Sequence, residues 1–152
     1  MSDEFFSGKW EGFYEHGEQY SEDRRKIKVG FQVKMVLKDG MLSGTCEEYI
    51  TRVHMGKPAI LIGFIEGTHI SFVKQYPYAY DVDKDREITI DKTRPGLPVQ
   101  YTGIFEPVNS SFYGDWKIEA IKGKDETWEG FPENSEEGLI HSFTGNWEMR
   151  KI

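Results

Sequence analysis

Apolar and polar residues alternate with a period of two along most of this chain, which commits it to β-strands with one dry and one wet face. The clearest instance sets Phe112, Gly114, Trp116, Ile118 and Ala120 against Tyr113, Asp115, Lys117 and Glu119. A second runs through Ile27, Val29, Phe31, Val33, Met35 and Leu37, interleaved with Lys28, Gln32, Lys34 and Lys38. A third places Phe143, Gly145, Trp147 and Met149 opposite Thr144, Asn146, Glu148 and Arg150. The pattern predicts strands over 8–16, 27–38, 41–51, 59–66, 68–76, 86–91, 98–106, 111–121 and 142–151. Residues 17–25 and 122–141 read as longer loops, and a short helical turn fits 2–6.

Turn residues separate these strands closely. Lys38-Asp39-Gly40 predicts a type I′ hairpin, because Asp-Gly accepts two positive φ values. Glu66-Gly67-Thr68 predicts another, while Pro77 and Pro95-Gly96-Leu97-Pro98 interrupt pairing. At 152 residues the chain makes a single domain, 1–152. Its aromatic content of 14%, with 16 Gly, suits large flat side chains on a pleated surface between tight turns. About nine short strands form either a sandwich or a closed meander barrel. Hairpin-like spacing favours neighbours pairing in order, and closure removes exposed edges. The expectation is an all-β, antiparallel up-and-down barrel of eight to ten strands.

Three segments share Gly-x-Trp: Gly8-Lys9-Trp10, Gly114-Asp115-Trp116 and Gly145-Asn146-Trp147. Gly and Trp two apart face the same side of a strand, and the missing side chain leaves room for an indole inside a curved sheet. Their first use is core packing; the alternative is that one Trp walls a ligand cavity. With Gly-x-Trp in the first strand and Arg150 or Lys151 near the end of the last, the chain resembles the calycin superfamily of lipocalins, fatty-acid-binding proteins and avidins. That resemblance implies an up-and-down barrel in which the terminal basic residue packs across Trp10. A second lipocalin motif is missing, 17–26 is too short for the helical lid of fatty-acid-binding proteins, and avidin-like ligand residues do not follow Trp10. No calycin ligand is therefore carried over.

Several polar residues share the apolar registers. Ile70, Phe72, Lys74 and Tyr76 form one, and Leu42, Gly44, Cys46, Glu48 and Ile50 another. Val99, Tyr101, Gly103 and Phe105 add a Tyr, and Trp10, Gly12, Tyr14 and His16 add a Tyr and a His. A Lys inside a barrel needs a partner, since an isolated buried charge costs several kcal/mol or more. Glu48 can be that partner, with Tyr14, Tyr76 and Tyr101 as donors, which suits a ligand carrying a carboxylate or carbonyl. The other reading leaves Lys74, His16 and Glu48 in water at open strand ends. The candidate ligand-binding set is Trp10, Tyr14, Glu48, Lys74, Tyr76, Tyr101, Trp116 and Trp147.

Other chemistry finds little support. His16, His54, His69 and His141 lack metal-ligand spacing, although convergence on separate strands leaves a haem or zinc site open. Asp81-Val82-Asp83-Lys84-Asp85 starts like a calcium loop, but Arg86 and Lys92 occupy the positions of the required Gly and Glu. Cys46 has acidic neighbours that oppose thiolate formation. No cofactor or metal is expected. A net charge of −7 argues against nucleic acid, and no apolar stretch approaches a membrane span. The single Cys and acidic N-terminus lead to a cytoplasmic expectation. The tyrosines at 76, 78 and 80 belong at a barrel mouth or a homodimer contact. Three functions stay open: a small-molecule binding barrel, a lyase or isomerase on the same scaffold, and a structural or interaction protein.

Overall fold

The computed structural model describes residues 2–82, 87–121 and 140–152. Among the described residues there are ten strands: β1 (Gly8–His16), β2 (Lys28–Lys38), β3 (Met41–Glu48), β4 (Ala59–Glu66), β5 (His69–Gln75), β6 (Ala79–Val82), β7 (Ile88–Asp91), β8 (Pro98–Glu106), β9 (Ser111–Ile121) and β10 (Ile140–Lys151). Eight close into an antiparallel barrel in the order β1-β10-β9-β8-β5-β4-β3-β2, and β6 and β7 form a separate hairpin inserted between β5 and β8. Every barrel strand pairs with its neighbours in the chain, once the inserted hairpin is set aside and β10 closes on β1. The fold is the closed antiparallel up-and-down barrel that the alternation and the hairpin-like spacing lead one to expect.

The strand faces follow the sequence registers. Along β2 the side chains of Phe31, Val33, Met35 and Leu37 are buried and the residues between them are not. Asp39 and Gly40 take φ of 52° and 81°, as a type I′ turn demands. Gly67, with φ of 60°, opens the two-residue turn between β4 and β5.

Four segments depart from the expected pattern. The third strand stops at Glu48, and Ile50–Met55 coil into one turn of π-helix. Thr51 causes the change, accepting a hydrogen bond from Glu48 N at 2.9 Å and donating one to Glu48 O at 3.0 Å. Ala79–Val82 forms β6, too short and mixed for periodicity to reveal. The expected loop 17–25 contains a short helix at Glu22–Arg25, and residues 140 and 141 belong to β10. The rest of the expected loop, 122–139, and the segment Asp83–Arg86 lie outside the described residues.

The Gly-x-Trp pattern works between strands. Trp116 lies over Gly145 of β10, its register partner, and its indole N–H donates to Glu15 O at 3.0 Å. Trp147 lies over Gly103 of β8, where an added Cβ would stand 2.8 Å from the ring, and donates to the Thr102 and Asp115 carbonyls at 3.1 Å each. Each glycine thus makes room for an indole, from the adjacent strand at Gly145 and from the next strand but one at Gly103, and lets that indole reach main-chain oxygens.

The two barrel ends differ. One is sealed by the short helix α1 (Asp3–Phe6), whose Phe5 and Phe6 pack against Trp10, Phe105 and Phe112 with ring centroids 5.1–6.5 Å apart. Trp10 donates to Phe6 O at 2.9 Å. Lys151, opposite Trp10 in the register, donates to Phe5 O and Ser7 O and lies 6.0 Å from the Trp10 ring. Lys151, and not exposed Arg150, is therefore the terminal basic residue across the first-strand Trp. The connections at this end are the tight turns after β2, β4 and β8; the longer connections 17–27, 49–58 and 76–97 all gather at the other end.

Candidate functional site

A cavity of about 450 Å³ opens at the end where the long connections gather. Its floor is a buried polar cluster. Lys74 occupies the inward register of β5 after Ile70 and Phe72, and Glu48 is the last residue of β3. Lys74 Nζ stands 3.3 Å from Glu48 Oε2, with side chains 2% and 0% exposed. The solvated strand-end reading of Lys74 and Glu48 is therefore wrong: β4 separates β3 from β5, so both inward registers converge inside the barrel.

Tyrosines complete the cluster. Tyr76 and Tyr14 donate to Glu48 Oε1 at 2.5 and 3.3 Å. The Lys74 ammonium lies 4.6, 4.9 and 5.0 Å from the ring centres of Tyr14, Tyr76 and Tyr101. Three aromatic faces and one carboxylate thus surround the cation, a geometry that attracts it electrostatically. Thr51 holds the Glu48 backbone from behind.

Burial and the neighbouring charges together raise the pKa of several groups of the cluster. Burial works against the Lys74 ammonium, but Glu48, followed by Tyr101, Cys46 and Tyr14, more than offsets it and holds the Lys pKa well above its ordinary value. Burial, reinforced by Glu48, raises Tyr14 and Tyr76 well above the usual phenol range. Burial, then Glu48, pushes Tyr80 up to about 12. Neighbouring Cys46 is buried, and desolvation pushes its thiol up to about 12, against the pull of Lys74. The cation, the phenols and the thiol all keep their protons at neutral pH. Together they supply a positive charge and a set of hydroxyl donors beneath the cavity.

Above this floor stand aromatic and basic walls. His16, at the end of β1, packs against Tyr14, Tyr20 and Trp116 with centroids 5.6, 4.6 and 5.9 Å apart. Its Nδ1 is buried without a hydrogen-bond partner among the described residues. Burial, followed by the charges of Arg24 and Lys74, lowers its pKa to about 4, so the ring is neutral at physiological pH. Arg24, from α2 (Glu22–Arg25), Tyr80 and Asp81 of β6, and Arg94 complete the polar part of the lining; Val99, Ile118 and Ala120 supply apolar surface.

Five of the eight expected ligand residues, Tyr14, Lys74, Tyr76, Tyr101 and Trp116, line this cavity, and Glu48 sits directly behind the lining. Trp10 and Trp147 do not reach it. Trp10 is locked into the sealed end, and Trp147 packs on Phe72 and Tyr101 with its N–H spent on backbone carbonyls. Both are core residues. The aromatic run at 76–80 lies at the mouth: Tyr76 is buried, Tyr80 packs on it at 5.4 Å, and Tyr78 packs against the core beneath Lys57. His16, Tyr20, Arg24, Tyr80 and Arg94 are additional lining residues. Only His16 carried a periodic signal toward the interior; the others come from connections or the inserted hairpin.

A larger groove of about 1050 Å³ crosses the outer surface past Phe64, Ile104 and Tyr113, but no buried ionisable group among the described residues faces it. Among the described residues no group of three or more His, Cys, Asp and Glu side chains is placed to hold a metal ion.

No family model matches the chain, and no curated protein matches it. Among solved structures, the chain is similar to a rhizavidin–biotin complex at 13% identity, with a TM-score of 0.48 over 96% of this chain and 92% of that one.

Proposed function

We propose that this chain is a binding barrel for a small, partly apolar molecule held in the mouth cavity. The carrying observation is the cavity itself: about 450 Å³, walled by aromatics, floored by an organised polar cluster and framed by the long connections. Ligand sites commonly occupy about 300–1,000 Å³ and combine apolar walls with a few fixed polar groups. Lys74, held protonated by the Glu48 carboxyl beside it, favours binding over acid–base catalysis, because a general acid or base works best with a pKa near the operating pH. A lone buried Cys, needing no oxidising compartment, fits a cytoplasmic carrier or sensor.

The test is native mass spectrometry of freshly purified protein, together with fluorescence titration of anilinonaphthalene sulfonate. The filling variant Ala120→Phe places a ring in the cavity without touching the ion pair. The expected result is a bound mass, or saturable dye binding, in the parent protein and its loss in the variant. Absence of both from the parent, or dye binding unaffected by Ala120→Phe, overturns the proposal.

A further inference from the structure

We infer that the outer face of β3, β4, β5 and β8 is the contact surface of a homodimer, on which a second copy of this chain packs the same face about a two-fold axis. The inference concerns the barrel flank and stands independently of the mouth cavity.

The placement of charge marks the face. On β4, Ile60, Ile62 and Phe64 point outward and are 54%, 62% and 45% exposed. On one side β3 adds Met41, Ser43 and Thr45, and on the other β5 adds Ser71, Val73 and Gln75. Strand β8 continues the face with Gln100, Thr102 and Ile104. None of these outward positions carries Asp, Glu, Lys or Arg, and Glu47, Glu66 and Glu106 stand only at the margins. The other half of the barrel differs, with Lys9, Glu11 and Glu15 outward on β1 and Asp115, Lys117 and Glu119 outward on β9. In a chain with 30% charged residues, four adjacent strands are thus kept free of charge while isoleucines and a phenylalanine stand in water. Contiguous apolar surface of this kind marks an interaction site.

Charge, shape and size select a second copy as the occupant. At a net charge of −7 two copies repel, and a cationic partner gains nothing from a neutral face. A two-fold axis sets a patch against itself, and here it sets neutral surface on neutral surface. The exposed row of β4 stands above the half-buried row of Ser71, Val73 and Gln75 on β5. With the axis between β4 and β5, each copy's ridge lies in the other's trough, and the contact closes at two chains. Met41, Ile60, Ile62, Phe64 and Ile104 leave about 100 Å² each uncovered, roughly 500 Å² together. The polar positions between them bring the face toward the roughly 800 Å² per partner of a standard interface. Those polar groups are already arranged for drying. Gln100 Nε2 donates to Ser71 Oγ at 2.9 Å and to the Phe72 and Tyr101 carbonyls at 3.3 and 3.2 Å. Gln75 Nε2 donates to the Tyr76 and Gly96 carbonyls. Both amide donors stay satisfied when water leaves the face. Tyr76 and Tyr80, packed into the mouth, are not part of it.

The experiment is sedimentation velocity of the full chain from about 1 to about 100 µM, a range that spans micromolar dissociation constants. The parent is expected to reach twice 17.7 kDa and to go no further. Ile62→Lys sets two like charges at the centre of the contact and is expected to weaken the dimer by about thirtyfold or more, the scale of an interface hot spot. Val108→Lys, the same kind of change at a residue 88% exposed in the turn after β8, is expected to leave the dimer intact. Salt screens the repulsion between two chains of charge −7, and the face holds no ion pair to lose, so the dimer is expected to tighten as sodium chloride is added. Ile60→Lys serves if circular dichroism shows that Ile62→Lys does not fold. A parent that stays monomeric at about 100 µM overturns the proposal and leaves the face to a different protein. A dimer that survives both lysine variants, one that salt weakens, or a mass that grows past two chains overturns it equally. None of these outcomes touches the cavity reading, whose dye and bound-mass tests do not involve the flank.

Discussion

Replacing Lys74 by Met removes a buried cation while nearly preserving side-chain length, and its cost can be worked from the cluster. The ammonium lies 3.3 Å from Glu48 Oε2. With an effective dielectric constant near 20, that separation corresponds to about 5 kcal/mol of Coulomb attraction. The three tyrosine faces around the cation add to it, and the desolvation of the ammonium, which Met does not suffer, offsets much of it. What dominates the variant is Glu48, left as a buried carboxylate without its counter-charge. Breaking one side of such a pair costs about 3–5 kcal/mol. Two tyrosine hydroxyls still donate to Glu48, at 2.5 and 3.3 Å, which places the expected loss at the lower limit, about 3 kcal/mol. For a domain of this size that lowers the melting temperature by roughly 6–12 °C.

The pH dependence separates this mechanism from simple loss of packing. A buried carboxylate without a cation accepts a proton, and once neutral it no longer incurs the penalty. The gap between variant and parent should therefore shrink as the solution is taken from about pH 8 to about pH 5. The assay is urea denaturation followed by tryptophan fluorescence. Adding Glu48→Gln, which removes the charge but keeps an acceptor for the tyrosines, should recover a large part of the loss; the double-mutant cycle should give a coupling of about 2 kcal/mol or more. A Lys74→Met variant within about 1 kcal/mol of the parent at both pH values, or additive single effects, would refute the reasoning.

Three shorter predictions concern the rest of the barrel. Gly145→Ala drives a methyl into Glu15 O and the Trp116 ring and should cost about 1–3 kcal/mol, whereas Gly30→Ala, whose nearest neighbour stands 4.0 Å away, should be nearly silent in the same melts. Cys46, buried and held as a thiol, should resist iodoacetamide in the native protein and react fully once unfolded, as mass spectrometry would show; rapid native labelling would contradict its burial. His16 should titrate near 4 by NMR in the empty protein; because its folded pKa is depressed from 6.5, the unfolded chain binds more protons between these values. Stability should therefore fall as the pH drops through that window, and His16→Phe should weaken this part of the decline.

The residues that were legible in the sequence are those whose role is local. A strand face is decided by alternation, so Lys74 and Glu48 stood out as charges in apolar registers, and the cost of burying either alone made each the other's candidate partner; alternation alone left open that both lay in water at strand ends. The tight turns at Asp39-Gly40 and Gly67-Thr68 were legible for the same reason, because positive φ is a property of single residues. The π-helix was not. Tyr49, Ile50 and Thr51 continue the strand pattern, and only the two Thr51 hydrogen bonds to the Glu48 backbone divert the chain there.

Height within the barrel was equally hidden, and it decides what each tryptophan does. Trp10, Trp116 and Trp147 share one local pattern, yet the register sets Trp10 opposite Lys151 at the sealed end, Trp147 opposite Gly114, and Trp116 opposite Gly145 toward the mouth. Shear between strands fixes that height, and no residue encodes shear alone. The mouth itself is built from segments without a period: Tyr20 and Arg24 between β1 and β2, Tyr80 on the inserted hairpin and Arg94 beyond it. A barrel separates these two kinds of information physically. Its strands must satisfy one another along every ladder, so their sequence is patterned and readable. Its long connections answer only to the cavity they surround, and their meaning appears once closure brings them together at one end.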